Sequence, residues 1–206
     1  MRKSIIILIA VLSVAAGAQA QWHVSTDLEG KVITDGDEAT VLGGWYFGGG
    51  YHFRLGEVVG LTLDGAVSNV TSTESDYVLY GHTYYYNYSE TLAHLPLLLD
   101  FRLPLGQRHG LHIFAGPSLS YAITSARHEW RDDDSPETYL NRYSADEVPS
   151  NELLRRWNAS VMAGVAARLG WLSLTAGVRV PLMNRLDDGD GSEHAASLFL
   201  GAGVVF

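Results

Sequence analysis

Ala196-Ser197-Leu198-Phe199-Leu200-Gly201-Ala202-Gly203-Val204-Val205-Phe206 alternates along its whole length and stops on an aromatic ring. In an extended chain successive side chains point to opposite faces. Ala196, Leu198, Leu200, Ala202, Val204 and Phe206 therefore share one face, and Ser197, Phe199, Gly201, Gly203 and Val205 share the other. Seven further segments carry the same period of two: Trp22–Glu29, Trp45–Arg54, Val59–Ser68, Ala93–Arg102, Leu111–Tyr121, Trp157–Leu169 and Leu172–Val180.

The charges sort by parity. Asp27, Glu29, His52, Arg54, Asp64, His94, Asp100, Arg102, His112, Arg168 and Arg179 all fall on the polar face of their segments, and none falls on the apolar face. Connection lengths alternate as well. Short turns lie at Gly56-Glu57, Pro104 to Gly110 and Gly170. Longer connections run from Lys31 to Thr40, Val70 to Glu90, Ala122 to Arg156 and Pro181 to His194. Aromatics cluster at the two ends of the apolar faces: Trp22, Phe53, Phe101 and Phe206 beside the short turns, and Trp45, Tyr121 and Trp157 at the other end. A soluble lipid-binding barrel would put its apolar face inside and its charges outside. Aromatic girdles, sorted charges and unequal connections instead predict an all-β, eight-stranded, antiparallel, up-and-down transmembrane β-barrel. Its polar face lines the interior, where Gly and Ala leave room for ionic side chains.

The N-terminus agrees with export to an outer membrane. Arg2 and Lys3 precede a short apolar run, Ser4 to Ala16, and Ala18-Gln19-Ala20 supplies small residues for cleavage. Residues 1–20 therefore read as a signal peptide and residues 21–206 as the barrel domain. The run is too short for a spanning helix, and no later run is long enough. The chain has no cysteine, so neither disulfides nor a lipid-modified cysteine are available. Removing Arg2 and Lys3 takes the formal charge from −9 to −11. That sign disfavours nucleic acid and polyanions as partners.

Leu92-Ala93-His94-Leu95-Pro96-Leu97-Leu98-Leu99-Asp100-Phe101-Arg102 resembles the Leu-x-Ile-Pro-Leu-Leu strand of the PorT-like outer-membrane β-barrel family of Bacteroidota-type bacteria. Gly116-Pro117-Ser118-Leu119-Ser120-Tyr121 resembles that family's next strand, a Gly-Pro-x-x-x-Tyr pattern. The resemblance implies an outer-membrane barrel without an assigned activity. Some members serve secretion or gliding. It brings no catalytic residues.

Candidate sites divide by chemistry. Pro96 cannot donate to a sheet ladder, which predicts a bulge or bend. An eight-stranded interior is just wide enough for side chains, so the lumen charges are expected to pair and fill it. No metal-ligand spacing such as His-Glu-x-x-His occurs, and no cofactor is expected. Asp132-Asp133-Asp134 and Asp187-Asp188-Gly189-Asp190-Gly191 read as a solvated acidic rim, with calcium bridging to lipid heads as a second reading. Tyr84, Tyr85, Tyr86 and Tyr88 form either a contact loop for an extracellular protein or glycan, or an extension of the neighbouring strand. Ser and His are available for an enzyme, as in Ser118 or Ser120 with His112, without a third orienting group. The expected function is a non-enzymatic barrel in outer-membrane lipid, serving envelope structure or surface interaction. The alternatives are a small-solute channel, a secretion-associated barrel and a lipid-modifying barrel enzyme.

Overall fold

The computed structural model describes residues 20–35, 38–72, 75–79, 82–105, 109–131, 134–144, 146, 153–186 and 192–206. The expected leader lies outside the described residues apart from Ala20. So do the acidic stretches, apart from the backbone of Asp134.

Ten strands follow in order: β1 (Ala20–Asp35), β2 (Glu38–Arg54), β3 (Val59–Ser72), β4 (Ser75–Leu79), β5 (His82–Pro104), β6 (His109–Arg131), β7 (Asp134–Asn141), β8 (Trp157–Leu169), β9 (Leu172–Pro181) and β10 (Glu193–Val205). Eight of them close into an antiparallel ring, β1-β2-β3-β5-β6-β8-β9-β10, sealed by β1 against β10 from His23↔Val205 to Asp35↔Glu193. The remaining two stand off the ring. β4 continues the line of β3 along β5, and β7 pairs with β6 beyond the level at which β8 begins.

The long connections are for the most part strand. β1 and β2 pair up to Asp35↔Glu38, and β5 and β6 are 23 residues each. A tilted strand crosses a bilayer in about 9–11 residues. Roughly half of β5 and β6 therefore rises past the ring's far rim, with β4 and β7 on its two sides. Tyr84, Tyr85, Tyr86 and Tyr88 stand on this part of β5, as the strand extension expected. At the opposite end the β8–β9 turn is two residues, with Gly170 at φ 68°. That left-handed conformation suits the right-handed twist of a tight hairpin and disfavours any residue with a Cβ.

Pro96 does not make a bulge. The β3–β5 ladder breaks between Leu63↔Leu97 and Ala66↔His94, and the β5–β6 ladder between Pro96↔Ser118 and Leu99↔Ala115. Each resumes in unchanged register, because Pro96 removes a donor without adding a residue. The shift occurs higher on the same pair of strands. Leu92↔Ala122 is followed by Thr91↔Thr124, so β6 carries one extra residue, Ile123. Ile123 and Thr124 both face out, and the inward parity passes from Ser120 and Ala122 to Ser125.

Burial is inverted relative to a water-soluble protein. Leu28 is 73% exposed between Asp27 at 5% and Glu29 at 3%. Leucines, valines and tryptophans are exposed on every strand of the ring. Water-soluble monomers rarely show a contiguous apolar patch beyond a few hundred Å², so this continuous apolar exterior is a surface for lipid. Rings mark its two ends. Tyr51 makes edge contacts with Trp22 and Phe53, both at 4.7 Å between centroids, near the short turns. Tyr121 packs on Trp157 at 4.8 Å near the other end. Trp45, Phe101 and Phe206 are also exposed.

Candidate functional site

The candidate site is the lumen, which is built in layers set by strand register. At the short-turn end Arg54, Arg102 and Arg168 line the mouth. Arg168 donates to the Gln21 side chain at 2.7 Å. His112 lies diagonally across from Asp100, and its Nδ1 donates to that carboxylate at 2.9 Å. His52 stands opposite Thr62, with 2.9 Å between Nδ1 and Oγ1.

Above the mouth His23, Gly50 and Asp64 form one row across β1, β2 and β3. A Cβ on Gly50 would collide with Asp64 and the Leu63 carbonyl. Glycine there lets His23 Nε2 and Asp64 Oδ1 meet at 3.1 Å. Asp27 lies further in on β1.

An apolar layer follows: Leu98, Phe114, Met162 and Phe199. Register explains how two phenylalanines fit inside so narrow a ring. Phe114, Gly164, Gly177 and Phe199 make one row across β6, β8, β9 and β10. The two rings lean toward each other over the glycines, stacked at 6.5 Å with 23° between planes. Aromatic cover of this kind stabilises glycine within a sheet. These four residues carry inward parity in sequence, but parity analysis centred on charge passes over them.

Beyond the apolar layer, Arg179 donates to Glu29 at 2.9 Å and its guanidinium lies over the Tyr46 ring at 5.2 Å. His94 is held by two serines, Ser68 on Nε2 at 2.8 Å and Ser120 on Nδ1 at 2.9 Å. The enzyme-like pairing of serine with His112 does not form. Ser120 is spent on His94, and eight residues of β6 separate it from His112, about 27 Å along a strand. His94 likewise stands away from His52 and His112, whose rings are 6.3 Å apart. Among the described residues no three His, Asp or Glu side chains are arranged to hold a metal ion.

At the far end of the lumen sits an ionic cap absent from the predicted set. Glu90 pairs with both Lys31 and Arg185. Glu193 receives Arg142 at 2.7 Å and Arg185 at 2.8 Å. Tyr143 donates its hydroxyl to Glu90 at 3.3 Å. Two copies of one local device aim the arginines inward. In Asn141-Arg142-Tyr143 the Asn side chain accepts the N–H of Tyr143 at 3.1 Å. In Asn184-Arg185-Leu186 it accepts the N–H of Leu186, also at 3.1 Å. Such Asx turns reverse the chain over the residue between. Burial pushes the Tyr143 phenol above its ordinary pKa, and the Glu90 carboxylate adds to that. Burial opposes the charge on Arg185, but Glu90 and Glu193 outweigh it and raise its pKa.

Lys31, Glu90 and Glu193 keep the inward parity of Asp27, His94 and Phe199 on their own strands, so continuing the alternation would have found them. Arg142 and Arg185 lie in connections, where the repeated Asn-Arg pair was the available signal.

No curated protein matches the chain. Solved structures share the architecture. Ail, the attachment invasion locus protein of Yersinia pestis, in complex with the heparin analogue sucrose octasulfate, is 9% identical. That likeness covers 91% of this chain and 99% of that one, with a TM-score of 0.50. Neisserial surface protein A is 12% identical over 89% of this chain and 95% of its own, with a TM-score of 0.44. At its identity the likeness to Ail is one of fold. Residues 18–187 match the outer membrane protein beta-barrel domain, which spans most of the ring. With its closed strand order, apolar exterior and charged lumen, the chain belongs to that outer-membrane β-barrel family.

Proposed function

We propose that this chain is a non-enzymatic barrel whose lumen is plugged, and that it works through the sheet it raises outside the cell, in envelope structure or in contact with an extracellular protein or glycan. The observation that carries this reading is the stacking of two layers across one narrow bore, the Phe114–Phe199 layer and the Glu90–Glu193 cap. A solute would have to unstack an aromatic pair and then separate buried ion pairs, each costly in a low-dielectric interior. The acidic charge of this chain disfavours a sulfated polyanion of the kind bound to Ail. The Pro96 and Gly116-Pro117 strand motifs favour the PorT-like subdivision of the family.

Planar-bilayer recording of the purified protein tests the reading. The expected trace is flat, without discrete conductance steps. Reproducible steps that scale with salt would replace the plug with a channel.

A further inference from the structure

One cavity in the lumen is not filled by the protein's own side chains. It lies between the mouth and the apolar layer and has a volume of about 130 Å³. Since short turns of outer-membrane barrels face the periplasm, it opens to that compartment. Its floor is apolar, made by Leu98, Phe114, Met162 and Phe199. Its inner wall offers acceptors. Asp27, 5% exposed, lines it with an Oδ1 that has no hydrogen-bond partner among the described residues. His112, 7% exposed, carries a second orphaned acceptor, but at the mouth, opposite Arg102. Its Nδ1 donates to Asp100, so in the neutral ring Nε2 is an acceptor, and that nitrogen is also unpartnered. Asp64 adds a further carboxylate on the same wall. The mouth has the opposite character, with Arg54, Arg102 and Arg168, and the buried Nε–H of Arg102 meets no acceptor.

Buried polar atoms without partners are uncommon and costly. Here the orphaned Asp27 acceptor lies deep, against the apolar surface, and the orphaned Arg102 donor lies at the mouth, level with His112. We propose that this cavity is a periplasm-facing binding site for a small zwitterion with an apolar body. Its ammonium group enters first to meet Asp27, with Asp64 on the same wall. Its body covers the apolar floor. Its anionic group stays among the mouth arginines. An ammonium supplies three donors and one charge, which answers a wall of acceptors. A bare cation meets the arginines first, and a bare anion meets Asp27 and Asp64 once inside.

Three probes of one chain length separate these terms: 6-aminohexanoate, hexylammonium and hexanoate. Each is titrated calorimetrically into the barrel in nanodiscs, with empty nanodiscs as the control for lipid partitioning. The expected result is saturable one-to-one binding of 6-aminohexanoate, weaker binding of hexylammonium and none of hexanoate. Asp27→Asn and Arg102→Gln are each expected to weaken 6-aminohexanoate by at least about tenfold, roughly the loss of one charge-assisted contact. Folding of each variant is checked by its gel mobility before and after boiling. A second measurement does not depend on those charges. The chain has no cysteine, so Ser173→Cys places a single thiol on the cavity wall, and bound 6-aminohexanoate should slow its maleimide labelling severalfold. Heat no greater than that of empty nanodiscs, equal binding by folded variants, or unchanged labelling would each overturn the proposal.

Discussion

Replacing Glu90 by alanine is expected to lower the unfolding free energy of the barrel by about 3–5 kcal/mol, the usual cost of removing one partner from a buried ion pair. The side chain is 2% exposed and faces Lys31, Arg185 and the Tyr143 hydroxyl. Its removal leaves Lys31 without its carboxylate and Arg185 with only Glu193, in a site that water does not reach freely. Glu90→Gln keeps the shape and an acceptor but loses the charge, so it is expected to fall between wild type and alanine. Urea titration of the protein in lipid vesicles, followed by tryptophan fluorescence, reads the change as a lower midpoint at constant slope. A shift below about 1 kcal/mol would mean that the cap behaves as a solvated surface network. The same variant in a planar bilayer asks whether the cap or the aromatic layer is the tighter barrier.

The second large effect concerns the glycine row. Gly177→Leu is expected to abolish the folded barrel, a loss above about 4–5 kcal/mol in the class of severe core disruption. A Cβ at this position would meet the Phe199 ring and lie 2.6 Å from the Ala163 carbonyl oxygen. The ring can swing away, but the carbonyl belongs to the neighbouring strand. Phe199→Ala alone should cost about 3–5 kcal/mol through the space it leaves. Combining the two changes should recover little of the folded population, because removing the ring leaves the Ala163 carbonyl in place. Gel mobility of unboiled samples reports folding in all three variants. A fully folded Gly177→Leu barrel would show that the two phenylalanines do not lean over the glycines as described.

Much of this molecule was legible in its sequence because a ring of strands in lipid has only two environments. Asp27, Glu29 and Arg179 can be assigned to the interior from parity alone, since a charge facing hydrocarbon is costly. The same rule places Leu28, Leu198 and Leu200 outside. What parity missed followed from two physical features. First, the strands do not stop at the membrane. β1 runs on to Asp35 and β5 begins at His82, and hydrogen-bonded pairing continues where the lipid constraint has ended. Lys31 and Glu90 were thereby assigned to connections, although they point inward and pair with each other. Second, the extra residue Ile123 reverses the parity of β6, and a bulge leaves no simple trace in an alternating pattern. Pro96 drew attention as the breaker, yet it only interrupts hydrogen bonding while the register holds. The Phe114–Phe199 layer was hidden for a different reason. An apolar residue on an inward position looks like noise until register brings its glycine partners alongside.

The central claim is that the charged face is the inside of the barrel and the apolar face meets lipid. Spin labels on single cysteines at Ala196, Ser197, Leu198, Leu200 and Ala202 of β10, in vesicles, test it most directly through collision with oxygen, which concentrates in hydrocarbon, and with a polar nickel chelate, which stays in water. High oxygen accessibility at 196, 198, 200 and 202, with low accessibility to both reagents at 197, is the predicted result. High nickel accessibility at 198 and 200 would contradict it, and would turn the barrel inside out.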